Sequence, residues 1–207
     1  MKYKQIVFDV DGTLMNNELA VLRSFQDTIR EVTGKTMEME ELKFCLGIPG
    51  ESAISQLGIE DTSGTLELWV RKLAKYEDTV RVFEGIPELL ERLKKAGYKM
   101  GIVTSRTREL QDEDFKNRSI RTYFETVVCA DECITPKPTA GPLLKYMELT
   151  GTECRELLYI GDSIYDLECA ENAGVDFALA GWGSSNHHIQ AERIVKMPEE
   201  LFCYLNV

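Results

Sequence analysis

After Gly85, short apolar runs alternate with helix-forming stretches, and this alternation leaves the chain few folds to choose from. Runs at 98–104, 126–129, 157–161 and 175–179 read as strands, with 194–195 as a short last one. The stretches 87–96, 107–116, 142–149 and 164–173 read as the helices between them, and 198–204 as a final helix. Pro87 suits a first helical turn, and Gly97, Gly151 and Gly174 stand where helices end. Strands separated by helices imply a parallel, doubly wound sheet. One more strand belongs to this set but stands apart from it: Gln5-Ile-Val-Phe8, which ends at Asp9 and runs into the turn Asp11-Gly12-Thr13.

Between that first strand and the rest, the pattern changes. Positions 18–32 have helical periodicity, with Leu19, Leu22, Phe25, Ile29 and Val32 on one side and Gly34 as C-cap. Positions 38–46, 51–57 and 65–76 also read as helices, separated by Gly47, Pro49, Gly50 and Gly58, and no strand is evident among them. The expected architecture is α/β: a Rossmann-like, doubly wound parallel core over 1–15 and 81–207, with an inserted α-helical cap over 16–80. Such a cap is expected to open for substrate and close to exclude water. The 207 residues suffice for a core of this kind without staples.

Charge narrows the partners. A formal net charge of -11 repels nucleic acid and anionic lipid, so neither is expected as a partner. No apolar run approaches the length that spans a membrane. The six cysteines form no Cys-x-x-Cys pair, and no signal peptide precedes the first strand, so reduced thiols and a cytoplasmic location are expected. A monomer and a homodimer are both compatible with the sequence.

Ligands of open α/β sheets bind beyond the carboxyl ends of the strands. The polar residues at those ends are Asp9 and Asp11 after the first strand, Thr104 and Ser105 after the second, and Asp162 after 157–161. Asp166 lies one helical turn further on, and Lys137 sits in the loop Thr135-Pro-Lys-Pro138. Carboxylates gathered in one pocket repel one another, by roughly 4 kcal/mol per pair at about 4 Å and an effective dielectric near 20. A cation relieves that repulsion, and an all-oxygen donor set with open positions suits Mg2+. The metal also lets an anionic phosphate approach an anionic nucleophile. Two carboxylates two residues apart then divide the work. Asp9 attacks phosphorus to give an aspartyl-phosphate; Asp11 protonates the leaving oxygen and later takes a proton from water. Lys137 adds positive charge, and the Thr104 hydroxyl with nearby N–H groups holds phosphoryl oxygens.

Phe8-Asp-Val-Asp-Gly-Thr-Leu14, Ile102-Val-Thr104, Pro136-Lys-Pro138 and Ile160-Gly-Asp-Ser-Ile-Tyr-Asp166 resemble, in order, the four motifs of the haloacid dehalogenase superfamily. With Ala173-Gly174 and Gly181-Trp-Gly183, the pattern is most similar to its phosphoglycolate phosphatase-like branch with a small helical cap. The resemblance implies Asp9 as nucleophile and metal ligand. It implies Asp11 as acid/base whose main-chain carbonyl also binds metal, Thr104 as phosphate-binding hydroxyl and Lys137 as stabilising lysine. Asp162 becomes a metal-binding acid, and Asp166 its partner, serving the metal's water shell or the lysine. The second Asp of the pair argues against a dehalogenase. Asn16-Asn17 and Gly141 depart from residues common in the family, at positions that perform no chemistry.

The expected function is therefore Mg2+-dependent hydrolysis of a small phosphorylated metabolite, a phosphomonoester such as phosphoglycolate or a sugar phosphate. A sugar phosphomutase, a pyrophosphatase and a catalytically silent regulatory protein are the alternatives. Arg106 reads either as a substrate contact or as a solvated side chain. Arg23 and the Gly47-Ile-Pro-Gly50 loop are candidate cap contacts, His187-His188 reads as a solvated pair, and Trp182 as packing.

Overall fold

The computed structural model describes residues 2–46, 48–115, 119–183 and 189–205. Gly47, Lys116 and His187-His188 thus lie outside the described residues. The chain forms two compact units, Met1–Leu14 with Val82–Val207, and Met15–Arg81. In chain order the elements are β1 (Gln5–Phe8), β2 (Met15–Asn16), α1 (Glu18–Thr33), α2 (Met39–Leu42), α3 (Gly50–Gln56), α4 (Thr62–Leu73), β3 (Arg81–Val82), α5 (Ile86–Lys95), β4 (Lys99–Val103), α6 (Arg108–Phe115), β5 (Thr126–Val128), α7 (Gly141–Thr150), β6 (Leu157–Gly161), α8 (Ile164–Ala173), β7 (Asp176–Ala180), β8 (Ile194–Val195) and α9 (Leu201–Leu205).

The first unit is built on a six-stranded sheet of order β5-β4-β1-β6-β7-β8 with parallel pairing throughout. Strand β1 lies in its centre, with Phe8 opposite Ile102 of β4 on one side and Ile160 of β6 on the other. A strand flanked on both sides and covered on both faces reads as a continuous apolar run, and every residue of β1 and β6 is buried. Val7, Val103, Tyr146, Leu157, Tyr159 and Cys169 belong to the core cluster on one side of this sheet. The α/β class and the parallel order agree with the alternation in the sequence.

The second unit is helical, apart from β2, which pairs with β3. Its core gathers Leu22, Phe25, Ile29, Leu42, Cys45, Ala53, Ile54 and Trp69. The rings of Phe25 and Trp69 stack at 4.2 Å, and the Trp69 indole N–H donates to Ser24 Oγ at 2.9 Å. The apolar stripe of α1 is narrower than its periodicity implies. Leu22, Phe25 and Ile29 are buried, whereas Leu19 and Val32, at the helix ends, are 40% and 43% exposed.

Three helices differ from expectation, the last of them being 198–204, which opens as a 3-10 turn over Pro198–Glu200 before α9 begins at Leu201. The stretch 38–46 ends early as α-helix: α2 stops at Leu42, and the chain tightens into a 3-10 turn closed by Leu46 N–H to Lys43 C=O at 3.1 Å. Helix α4 starts at Thr62 rather than Thr65, because the Asp61 side chain caps it by accepting the Gly64 N–H at 2.9 Å. Gly64 sits in the first turn, where the cap compensates for its low helix propensity.

Candidate active site

The registers of β1, β4 and β6 bring three chemically active segments to one edge of the sheet. Asp9 follows Phe8, and its N–H donates to Ile160 C=O at 2.8 Å. Thr104 follows Val103, with its N–H on Val128 C=O at 3.0 Å. Asp162 follows Gly161. The turn after Asp11 needs glycine. Gly12 has φ +74°, and a Cβ there would stand 2.2 Å from Asp162 Oδ2. Thr13 is fully buried, and its hydroxyl donates to Asp162 Oδ1 at 3.1 Å. The Trp182 indole N–H donates to Thr13 C=O at 2.9 Å, so this Trp does more than pack.

Lys137 is the hub of the buried part. Its Nζ donates to Asp9 Oδ1 at 2.8 Å and to Asp166 Oδ1 at 2.7 Å, and the lysine side chain is only 4% exposed. Asp166 is equally enclosed. It accepts the Tyr159 hydroxyl at 2.8 Å, and the Ser163 hydroxyl and N–H at 2.6 and 3.1 Å, completing a capping box at the start of α8. Tyr159 and Ser163 escape motif reading. Ser163-x-x-Asp166 has capping-box spacing that a sequence can carry, but Tyr159 lies within an apolar strand and gives no signal of its own.

Carboxylate oxygens of Asp9, Asp162 and Asp166 lie within 4.8 Å of one another. Three carboxylates face one ammonium, and the balance shows in their proton affinities. Burial, with Asp166 and Asp162's neighbour Asp9 adding repulsion, holds the Asp162 carboxyl well above the usual carboxylate range. Burial also pushes Asp9 up to about 7, against the pull of Lys137. Asp166 goes the other way: burial would raise it, but Lys137 and the donors around it hold it below its ordinary value. Burial would lower Lys137, yet Asp166 and Asp9 outweigh that and keep it firmly charged. A small hard cation beside Asp9 and Asp162 fits this donor set, which is all oxygen and short of positive charge.

The Asp11 carboxylate is not one of those three, although its charge adds to the repulsion that raises Asp9. Arg106 holds it in a bidentate ion pair, Nε to Oδ2 at 2.7 Å and Nη2 to Oδ1 at 2.5 Å. Arg106 is thus not a solvated side chain, being only 13% exposed. Its N–H also donates to Thr104 Oγ1 at 3.2 Å, which leaves the threonine hydroxyl proton to be donated elsewhere. Ser105 is exposed at the end of β4. Arg23 is exposed on α1.

A family model described as haloacid dehalogenase-like hydrolase matches residues 6–180. The chain belongs to the haloacid dehalogenase-like hydrolases. Among this hydrolase's relatives, pyrophosphatase PpaX of Bacillus cereus is 30% identical over 186 residues, which cover 88% of this chain and 85% of that protein. Pyrophosphatase PpaX of Bacillus velezensis is 29% identical over 178 residues, 86% of this chain and 82% of that one. A Lactobacillus plantarum structure, provisionally named a phosphoglycolate phosphatase, superposes with TM-score 0.89 at 27% identity and covers 98% of this chain and 99% of its own. A haloacid dehalogenase-like hydrolase from Streptococcus pneumoniae shares the fold, with TM-score 0.90 at 22% identity over 99% of each chain. No helix among the described residues is long and apolar enough to cross a membrane.

Proposed function

We propose that this hydrolase is a Mg2+-dependent phosphatase acting on a small phosphorylated metabolite through an aspartyl-phosphate at Asp9. The observation that carries the reading is the Asp9–Lys137–Asp166 chain of ion pairs beside Asp162, at the carboxyl edge of the central strands. Lys137 fixes Oδ1 of Asp9, which leaves Oδ2 to form the bond to phosphorus while the bond to the leaving oxygen breaks. Asp11 gives its proton to that oxygen, then accepts one from the water that cleaves the acyl phosphate. Thr104 donates its hydroxyl to a phosphoryl oxygen, with Ser105 beside it at the same strand end. Asp166, held by Tyr159 and Ser163, positions Lys137 and keeps it charged. Asp9, Asp162 and the Asp11 main-chain carbonyl would hold Mg2+, which supplies positive charge where the phosphoryl oxygens accumulate negative charge.

Both a monoester such as phosphoglycolate and pyrophosphate fit this chemistry, and the PpaX relatives favour the second as much as the L. plantarum likeness favours the first. The test is release of inorganic phosphate across a panel containing both, with Mg2+ and with EDTA. Release that requires Mg2+ is expected. Isomerisation of a sugar phosphate without net release would replace this reading with a mutase, and metal-independent turnover would overturn the assignment of Asp162.

A further inference from the structure

The group assigned to proton transfer is not free to perform it. Both oxygens of Asp11 accept from one edge of the Arg106 guanidinium, which fixes the carboxylate plane on the arginine rather than on a leaving oxygen. The same N–H edge is the one that binds phosphate or carboxylate in bidentate fashion, so Asp11 and a substrate oxyanion compete for it. Three further observations set the terms of that competition. Arg106 is anchored at its backbone, where its N–H lies on Thr104 Oγ1 and its C=O accepts from Ala130 N–H at 2.9 Å, so its guanidinium starts from the strand end that carries the phosphate-binding hydroxyl. The Asp11 side chain is 39% exposed, so an anion from solvent can reach the pair. Lys137, by contrast, is enclosed and already paired with both Asp9 and Asp166, so Arg106 is the better placed of the two cations for an anion arriving from solvent.

We propose that Arg106 is a substrate-operated latch: a second anionic group on the substrate, a few bonds from the reacting phosphoryl, takes the guanidinium from Asp11 and so frees Asp11 for proton transfer. The inference rests on the phosphatase reading and deepens it. The substrate class it selects is a phosphoryl compound with a second oxyanion close by, either a second phosphoryl group as in pyrophosphate or a carboxylate as in phosphoglycolate. A monoester with an uncharged leaving group binds without opening the latch and turns over slowly for that reason.

The experiment compares unsubstituted enzyme and Arg106→Gln on pyrophosphate, phosphoglycolate and p-nitrophenyl phosphate, with kcat and KM measured for each. Loss of the latch is expected to lower kcat/KM for the two-anion substrate by about tenfold or more, mostly through KM, and to raise kcat for p-nitrophenyl phosphate. Which of the first two substrates suffers the loss identifies the second anion. A parallel fall on all three substrates, or no change on any, overturns the latch. Calorimetry supplies a readout independent of turnover. Asp9→Asn should bind pyrophosphate or phosphoglycolate more tightly than orthophosphate, and Asp9→Asn/Arg106→Gln should lose that preference; a preference that survives the second substitution also overturns it. If the unsubstituted enzyme releases phosphate from none of these compounds, the phosphatase reading itself fails; if it does release phosphate and the preference survives Arg106→Gln, the latch alone fails.

Discussion

Lys137 carries more of this site than its place in a proline-flanked loop implies. Buried and charged, it is tolerable only because two carboxylates meet it, and they in turn are tolerable because of it. Lys137→Met should therefore cost both function and stability. Phosphate release should fall at least about 10²-fold, and the urea midpoint in the presence of chelator should drop by the equivalent of about 3 kcal/mol. A variant with full stability and no activity would mean that the ion pairs serve chemistry alone. At this scale the sequence was informative where a residue's chemistry and its strand-end position coincide, as for Asp9, Thr104 and Asp162. It was silent on Tyr159, whose hydroxyl hangs from an apolar strand and finds Asp166 only across the fold. It was also silent on the Arg106–Asp11 pair, which joins positions from the ends of different strands.

Strand β4 and helix α7 illustrate how elements hold the edge in register. Gly101 in β4 faces Tyr146 of α7 so closely that a Cβ would stand 2.3 Å from its ring. Tyr146 cannot retreat: it is fully buried, and its hydroxyl donates to Gln5 Oε1 of β1 at 2.8 Å. Gly101→Ala is expected to destabilise the fold by about 1–3 kcal/mol, read from the urea midpoint; an unchanged midpoint would show that α7 can shift. Elements were the most legible level, since periods of two and of 3.6 are written locally. Their ends were less so. The start of α4 depends on an Asp61 side chain capping past a glycine, and the early end of α2 on a 3-10 turn, neither of which a periodicity reports.

For the molecule as a whole, the parallel pairing of the strands, though not their order, follows from one rule, strands joined through helices, and so it could be anticipated. The relative stability of the parts could not. Burial pushes the Cys45 thiol up to about 12 and those of Cys129 and Cys169 up to about 11, from an ordinary 9.0. Each folded-state value is raised, so the native state keeps protons that the unfolded chain releases. The stability they contribute is fully present below pH 9.0 and declines as pH rises from there toward 11 to 12. Urea midpoints should fall across that window, and alkylation of the native protein should label exposed Cys154 and Cys203 well before the three buried thiols. Early labelling of Cys45 would show that the Met15–Arg81 unit opens far more readily than its packed core implies. Above all of this stands the claim that Asp9 is phosphorylated during turnover. The direct test is to quench the enzyme during steady-state hydrolysis with Mg2+, reduce with borohydride and sequence the peptides by mass spectrometry. Conversion of Asp9, and no other acid, to homoserine is the expected result. Homoserine at another aspartate, or none at all while phosphate is being released, would contradict the account.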